Sequence, residues 1–351
     1  MAARLYSQLL LGRHEGITNP AQVVACMRAM QAQEYAMAKW AVGLRLPRST
    51  DSQVEQAFQR GEILRTHVLR PTWHFVHPKD IRWMVKLSAP RVHAKNAYMY
   101  RKTGLDANTL RMSCGVLENA LQDGAHTREE LQRRLGAAGI AAQGFRLSYI
   151  MMYAELEGLI CSGPRRGKQF TYQLMDAAAP PCPDYEREEM LAMLARKFFA
   201  SRAPATVKDF AYWSGLTAKE ARLGAQTLGG DFHVEKNNET EYVVPEGIML
   251  PNLSASGADF AFLMPDYDEY IMSYQDRQGF TAFPEEMAKE SDYSHWLFVN
   301  GTIAGTWQTP QGGGLPQVRL FSQEFGAQNS RTIESARLCY ARFWAHKESA
   351  E

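Results

Sequence analysis

The chain has 351 residues, of which 45% are hydrophobic and 22% charged, so it can bury a sizeable core and is neither disordered nor a collagen-like repeat. At roughly 100 to 200 residues per domain, this length predicts two or three domains. No apolar run approaches the roughly 18 residues of a membrane span, and charges interrupt the short apolar stretch at the N-terminus, so we expect neither a membrane segment nor an export signal.

The net charge of +1 conceals two oppositely charged segments. Residues 60–102 carry ten Lys and Arg against two acidic residues, whereas residues 231–292 carry fourteen Asp and Glu against three basic residues. The first segment is therefore strongly positive and the second strongly negative. Because such a polarised molecule can steer an anion to one face, the neutral total does not exclude a nucleic-acid partner.

Metal and cofactor signatures are weak in this sequence. The five cysteines are far apart, form no CxxC pair and have no histidine at metal-ligand spacing, which favours a reducing cytoplasm and no metal. The acidic cluster at 266–269 could bind a cation, but it lacks the glycine and the distal Glu of an EF-hand. Residues 163–169 resemble a phosphate loop with one residue too few, so we expect no cofactor.

The first predicted unit covers residues 1–104. Asn19 caps a helix that has Pro20 at its first position, and a second helix spans residues 52–60. Paired strands are predicted over residues 63–69 and 72–76.

The second unit, residues 105–180, has the order helix, turn, helix, hairpin that is typical of a winged helix. Thr127 and Glu130 form a capping box at the start of a helix that ends near Gly136. A second helix is predicted over residues 145–156. Strands are predicted over residues 159–161 and 170–172, on either side of a loop.

The same order is predicted again in residues 181–250. Helices follow Tyr185, the cap Thr206 and a capping box at Thr217, and a hairpin has its turn at Asn237 and Asn238. Beyond Pro251 the pattern changes to short strands. These predict a small β domain over residues 251–351, with strands at 260–264, 295–299, 303–307 and 318–321 and a closing helix capped at Thr332.

Two basic surfaces are candidates for binding phosphates. The predicted wing loop carries Arg165, Arg166 and Lys168 between glycines, although a solvated hairpin tip explains these charges equally well. Residues 60–102 contribute the second surface. Its candidate residues are Arg65, Arg70, Arg82, Lys86, Arg91, Lys95, Arg101 and Lys102, with Trp73, Trp83, Tyr98 and Tyr100 available to support an unstacked base. The alternative is that both tryptophans lie in the core, which the apolar neighbours of Trp83 favour.

Gln31 and Gln33 form the most specific small motif. On a helix their side chains would point about 200° apart, so they can serve one site only if the helix from Pro20 ends near Met30 and the chain becomes extended. Taken alone, polar residues at a helix end are commonplace.

The chain resembles the AlkZ-type winged-helix DNA glycosylase family over nearly its whole length. The resemblance rests on five segments: residues 31–33 (QAQ), 65–76 (RTHVLRPTWHFV), 157–167 (EGLICSGPRRG), 209–216 (DFAYWSGL) and 265–270 (PDYDEY). It implies tandem winged helices followed by a β-barrel, arranged as a cleft around DNA. It also implies removal of alkylated purines, including N7-linked interstrand crosslinks.

The resemblance further implies that Gln31 and Gln33 are a catalytic Gln-x-Gln pair, where a sister branch has Gln-x-Asp. Many relatives have Gly-Thr-Leu-His where this chain has Pro71-Thr-Trp-His74, which changes the hairpin beside the site. In this interpretation Trp73, His74 and Arg70 line the site. The residues expected to bind DNA are Arg65, Arg165, Arg166 and Lys168.

Together these observations predict an α+β, mainly helical protein with three tandem winged helix-turn-helix units and a small C-terminal β-barrel-like domain. The predicted function is that of a monofunctional DNA glycosylase that hydrolyses the N-glycosidic bond of alkylated purines. It would act on double-stranded DNA as a monomer without a cofactor. The alternatives are a non-catalytic winged-helix DNA-binding protein, as regulator or architectural factor, and an unrelated cytoplasmic enzyme with a small-molecule pocket.

Overall fold

A computed structural model describes residues 4, 7–9, 16–247, 260–277, 279–290, 295–309 and 314–345. Within these residues, helices alternate with short antiparallel strands. Helices followed by a hairpin occur three times before residue 247, and a separate four-stranded sheet follows. The predicted mixture of helices and strands is therefore confirmed.

The first segment surrounds a three-stranded sheet. Its elements are α1 (Pro20–Met27), β1 (Ala29–Gln31), α2 (Tyr35–Leu44), α3 (Asp51–Gln59), β2 (Leu64–His67) and β3 (Trp73–Val76). Strand β3 is central and pairs antiparallel with both β1 and β2. Asn19 caps α1 as predicted, and Thr50 forms a capping box with Gln53 at the start of α3.

A long helix, α4 (Pro78–Lys102), connects the first segment to the second. It contains Pro90, which removes one backbone hydrogen bond between the two halves of the helix. In its second half, Val92 and Asn96 are buried.

The second segment contains the predicted pair of helices and hairpin. Its elements are α5 (Ala107–Ala120), β4 (His126–Thr127), α6 (Arg128–Ala137), α7 (Gly144–Leu156), β5 (Ile160–Arg166), β6 (Gln169–Leu174) and α8 (Met175–Ala178). Thr127 and Glu130 form the predicted capping box. The strands β5 and β6 meet at a tight turn in which Gly167 has a φ of 58°, a conformation that favours glycine.

The third segment repeats helices and hairpin with a two-stranded sheet. Its elements are α9 (Arg187–Arg202), α10 (Val207–Ser214), α11 (Ala218–Gln226), β7 (Phe232–Asn237) and β8 (Thr240–Pro245). Thr206 caps α10 as predicted and forms a capping box with Asp209, and the predicted capping box at Thr217 is present. Helix α10 ends at Gly215, which has a φ of 70°.

The C-terminal segment has an open sheet instead of the predicted barrel. Its elements are β9 (Ala261–Leu263), α12 (Glu269–Met272), α13 (Pro284–Met287), β10 (Trp296–Val299), β11 (Thr302–Gln308), β12 (Gln317–Leu320), α14 (Gln323–Gln328) and α15 (Ser330–Trp344). Among the described residues the strand order is β12-β11-β10-β9, so the two outer strands do not pair. Helix α15 packs beside β9. It begins at Ser330 after Asn329 and is not capped by Thr332 as predicted, and the predicted boundary at Pro251 lies outside the described residues.

One hydrophobic core joins the two ends of the chain. Trp40 and Phe75 of the first segment belong to the same buried cluster as Leu297 and Phe343 of the C-terminal segment. The Trp40 indole N–H also donates to the carbonyl of Leu263 at 2.6 Å. The C-terminal sheet is thereby fixed against the strands that carry Gln31.

Two further expectations concern membranes and cysteines. No helix in the described part of the chain is long and apolar enough to cross a membrane. All five cysteines are described, and each is a free thiol.

Candidate active site

A row of buried polar side chains crosses the first sheet. In the strand register, Gln31 of β1 lies opposite His74 of β3, and His74 lies opposite Thr66 of β2. All three residues are buried. Residues paired across neighbouring strands point to the same face, so the row forms one polar surface inside the protein.

The helix from Pro20 ends before Gln31 and the chain becomes extended, which is the condition under which both glutamines can serve one site. Helix α1 ends at Met27, and Arg28 then has a φ of 67°, in the left-handed region that ends helices. The chain is extended from Ala29, and the Ala32 N–H donates to the carbonyl of Trp73 at 2.7 Å. Gln33, just beyond, is exposed.

The Gln31 residue is held from two sides. Its backbone N–H donates to Oε1 of Glu269 at 2.9 Å, and its side-chain oxygen accepts from the Arg70 guanidinium at 3.0 Å. An amide oxygen has two lone pairs, so the bond from Arg70 leaves one free to accept a further hydrogen. Burial lowers the pKa of Arg70, while the negative charge of Glu269 acts in the opposite direction.

Glu269 is a functional candidate that sequence reasoning missed. Its second carboxylate oxygen accepts from Arg202 and from the Trp213 indole, both at 2.7 Å. Arg202 also donates to the carbonyls of Met27 and Ala29, which lie on either side of the turn into β1. One buried carboxylate thus links the C-terminal segment and the third segment to the strand that carries Gln31.

The acidic cluster at 266–269 forms ion pairs instead of a cation site. Asp268 binds both terminal nitrogens of Arg45 at 2.7 and 2.8 Å, with both side chains fully buried. Asp266 lies 3.0 Å from His295. In the described part of the chain no group of three or more His, Cys, Asp or Glu could hold a metal ion.

His74 is a neutral residue at this site. Its Nδ1 donates to the carbonyl of Thr72 at 2.9 Å, so its Nε2 is an acceptor. Burial, and then the positive charge of Arg70, lower the pKa of His74 well below its usual 6.5. His74 is therefore uncharged at neutral pH and provides no strong acid.

Trp73 and Arg65 form a stack behind the extended chain. The Arg65 guanidinium lies 4.2 Å from the Trp73 ring centre and 4.7 Å from that of Phe170. Its Nε donates to the carbonyl of Ala32 at 2.9 Å. Only 7% of Arg65 is exposed, because the packing of the second segment covers it. The guanidinium of Arg65 is thus hydrogen-bonded to the chain between the two glutamines.

The three cations of the wing have different surroundings. Arg165 contacts both carboxylate oxygens of Glu55 at 3.2 and 3.3 Å, which joins the wing to helix α3. Arg166 pairs with Glu130 at 2.9 Å at the start of α6. Lys168 is exposed at the tip and has no ion pair among the described residues.

The sequence and the fold of the chain match one class of enzyme. The family model for the AlkZ-like DNA glycosylases matches residues 24–343. The chain belongs to this family and is a DNA glycosylase, a hydrolase that acts in DNA repair.

Its similarity to characterised relatives spans nearly the whole chain. The interstrand DNA cross-link repair glycosylase of Streptomyces sahachiroi is 21% identical over 330 residues, which cover 88% of this chain and 86% of that protein. The solved structure of Streptomyces sahachiroi DNA glycosylase AlkZ matches with a TM-score of 0.77 at 19% identity. That match covers 97% of this chain and 95% of the other. The two proteins therefore share their fold.

Proposed function

We propose that the chain hydrolyses the N-glycosidic bond of alkylated purines in duplex DNA, with Gln31 and Gln33 as the catalytic residues. The observation that carries this proposal is the fixed position of Gln31. Its backbone is bonded to Glu269 and its side-chain oxygen to Arg70 before any substrate is present. Such preorganisation is what a site needs in order to orient a water molecule.

The chemistry of an N7-alkylated guanine suits these residues. The base is already cationic and leaves without a strong general acid, in agreement with the lowered pKa of His74. The enzyme must place a water at the anomeric carbon and stabilise a developing oxocarbenium ion. The free lone pair of the Gln31 oxygen accepts from this water, and the Gln33 amide provides a second partial negative charge.

The arrangement of Gln33 supports a shared site. Strand β1 ends at Gln31, Ala32 is still bonded to Trp73, and Gln33 follows at once in a bend, so both glutamines lie at the same end of the strand. Because Gln33 is exposed and Gln31 is buried, the pair extends from the interior to the surface. DNA would approach from the Gln33 end.

The remaining predicted site residues receive separate roles in this proposal. Trp73 and His74 line the site, and Arg70 fixes Gln31. Arg65 positions the chain between the glutamines through its bond to Ala32, because its burial keeps it away from phosphates.

In the wing, Lys168 is the cation available to phosphates. Arg165 and Arg166 hold the wing against α3 and α6 through their carboxylate partners. This division of roles replaces the equal DNA-binding roles that the sequence predicts for the three residues.

At the level of domains, we interpret residues 1–104, 105–180 and 181–250 as winged-helix units around duplex DNA and residues 251–351 as a C-terminal domain that supports the site. The name of the Streptomyces relative supports interstrand crosslinks as a further substrate. We also propose that the protein is a monomer and that it acts on DNA in the cytoplasm.

The substrate assignment is tested by identifying the released base. Duplexes that contain N7-methylguanine, N3-methyladenine or an N7-linked interstrand crosslink are incubated with the protein, and free bases are measured by mass spectrometry. We expect release of N7-methylguanine and unhooking of the crosslink, each leaving an abasic site. Release of no base, combined with tight sequence-specific binding of undamaged DNA, would indicate a regulator and overturn the proposal.

A further inference from the structure

The basic segment 60–102 divides into paired and unpaired cations along α4. In the first half of the helix, Arg82 binds Asp176 at 2.7 Å and Lys86 binds Asp184. Arg82 also donates to three backbone carbonyls after strand β6. These cations hold the linker between the second and third segments and are not free for a phosphate.

In the second half of α4, three basic residues lack such carboxylate partners. Arg91, Lys95 and Lys102 have no ion pair among the described residues, although Arg91 is half-buried and the two lysines are exposed. With Tyr98 they occupy positions i, i+4, i+7 and i+11, which share one face of a helix. We call these four residues the α4 strip. The buried side of the same turns, marked by Val92, lies about 100° away from Arg91.

One end of the strip lies close to the candidate active site, because Leu69, the residue before Arg70, donates its backbone N–H at 2.9 Å to Oγ of Ser88, three residues before Arg91 on α4. The pKa of Lys95 is lowered by partial burial and then by the positive charges of Arg91 and Arg70. Arg70 is the residue that donates to the Gln31 oxygen. Four cations, Arg70, Arg91, Lys95 and Lys102, therefore lead from Gln31 outward along α4.

We propose that the α4 strip binds the phosphate backbone of the DNA strand that carries the modified base. Arg91 and Lys102 are 11 positions apart, about 16 Å along the α4 axis, which corresponds to the axial rise of roughly five base pairs of a duplex. Tyr98, 61% exposed, supplies a hydroxyl that can donate to a phosphate oxygen between the cations. The location of the modified base relative to the strip rests on the function proposed for Gln31 and Gln33.

The test compares two double variants on the same helix. Lys95→Gln with Lys102→Gln removes two charges from the strip, and Lys79→Gln with Lys86→Gln removes two charges of the same type from elsewhere on α4. All four lysines are exposed, and the Lys86–Asp184 pair lies at the surface, where an ion pair contributes little, so both proteins should fold as the wild type does. Unfolding midpoints in urea are the check. Binding of an undamaged duplex is measured by fluorescence anisotropy across a salt titration.

We expect the strip variant to lose about tenfold in affinity at low salt. The slope of log K against log salt should fall by about 0.9 for each lost phosphate contact, hence by about 1.8. The control variant should lose at most about twofold, since the charge change alone acts on both proteins. Equal affinities and equal slopes for the two variants would overturn the proposal that the α4 strip binds DNA phosphates.

Base release separates this proposal from the proposed function. With enzyme in saturating excess, the strip variant should release N7-methylguanine at the wild-type rate, because the lysines bind DNA and do not contact the reacting bond. A lower rate at saturation with unchanged binding would overturn the binding role. If the wild type releases no base and the strip variant still loses affinity, the α4 strip binds DNA as proposed and the function proposed for Gln31 and Gln33 fails.

Discussion

At the scale of single residues, the site is organised by opposite charges that hold the side chain and the backbone of one residue, Gln31. Arg70 donates to the Gln31 side chain, and Glu269 accepts from the Gln31 backbone. Neither bond requires substrate, so the side-chain conformation of Gln31 is set in advance. His74, on the neighbouring strand, remains neutral because burial and Arg70 both oppose its protonation.

The neutrality of His74 predicts a specific dependence of stability on pH. Its pKa is lowered in the folded state, so below about pH 6.5 the unfolded chain binds a proton that the folded chain does not. The free energy of unfolding should therefore fall as the pH drops from 6.5 toward 5, by up to about 1.4 kcal/mol per pH unit from this residue. Urea unfolding at each pH measures the slope.

The variant His74→Asn isolates this contribution. His77 and His93 also have lowered pKa values, chiefly through burial, and give slopes of the same sign in both proteins. The difference between the wild-type and variant slopes thus belongs to His74. Identical slopes between pH 5 and 6.5 would show that His74 titrates normally.

At the scale of elements, the short helix α12 connects the site to the rest of the fold. Asp268 caps it and binds Arg45, while Glu269 in its first turn binds Arg202, Trp213 and the Gln31 backbone. The two carboxylates are equally buried, but only Glu269 touches the site strand. They form a matched pair for experiments.

We expect Glu269→Gln and Asp268→Asn to destabilise the protein similarly, since each leaves a buried arginine without its carboxylate, at a cost of about 3–5 kcal/mol. Glu269→Gln should in addition lower the single-turnover rate of base release by about tenfold, with little change in DNA affinity. The one oxygen of the amide stays with Arg202 and Trp213, and its NH2 group, which cannot accept, then faces the Gln31 N–H. Urea unfolding and base release are measured for both. Equal rates in the two variants would restrict Glu269 to a structural role.

Helix α10 approaches the same region through Gly215. A Cβ at this position would lie 2.7 Å from the carbonyl of Leu69, the residue before Arg70. Gly158 has the same φ of 70°, but a Cβ there would have no atom of the described residues within 4 Å. Gly158→Ala should cost about 1–2 kcal/mol from its backbone conformation alone.

Gly215→Ala should cost more than Gly158→Ala and should also reduce base release, because the clash displaces the hairpin that carries Arg70. Thermal and urea unfolding give the first comparison, and single-turnover kinetics give the second. The expectation is wrong if both alanine variants have the same stability and activity.

Capping residues made much of the fold predictable. Thr127 and Thr217 each precede a Glu at the third helical position and form the predicted capping boxes, and Thr206 caps its helix as predicted. Helix α2 was not predicted, and it begins at Tyr35 after Glu34, whose side chain forms no capping hydrogen bond. The prediction of a barrel was wrong, because alternating strand patterns are the same in an open and in a closed sheet. They do not determine whether the outermost strands pair or a helix packs beside one of them.

The site was only partly predictable for a related reason. Gln31, His74 and Arg70 lie within about 45 residues of one another in sequence, and motif and resemblance identified them together. Glu269 and Arg202 are distant in sequence, and their roles depend on buried ion pairs that no local pattern encodes. The acidic motif at 265–270 was the available signal, but its carboxylates suggested a metal ion as the partner, whereas in the structure two of them bind buried arginines.

At the scale of the whole molecule, the two ends of the chain depend on each other. Trp40 and Phe343 share one core, and Asp268 and Glu269 neutralise Arg45 and Arg202. The second segment, in contrast, has a buried cluster of its own around Leu131. Two carboxylates of the acidic segment 231–292 therefore serve structure, since they neutralise buried arginines from other parts of the chain.

This dependence predicts that a fragment of residues 1–247 does not fold cooperatively. Truncation exposes the shared core and leaves Arg45 and Arg202 buried without carboxylates, so near-ultraviolet circular dichroism and a cooperative urea transition should both be lost for the first segment. A fragment that unfolds cooperatively at the wild-type midpoint would show that the C-terminal segment is an independent domain.

The most direct measurement is the single-turnover release of N7-methylguanine from duplex DNA at saturating enzyme, for wild type, Gln31→Ala, Gln33→Ala and the double variant. We expect each single variant to lose at least about 100-fold and the double to lose little more than the worse single, because the two amides act on one water. Duplex affinity should stay within about threefold of wild type. Wild-type rates in both single variants would contradict the assignment of catalysis to this pair.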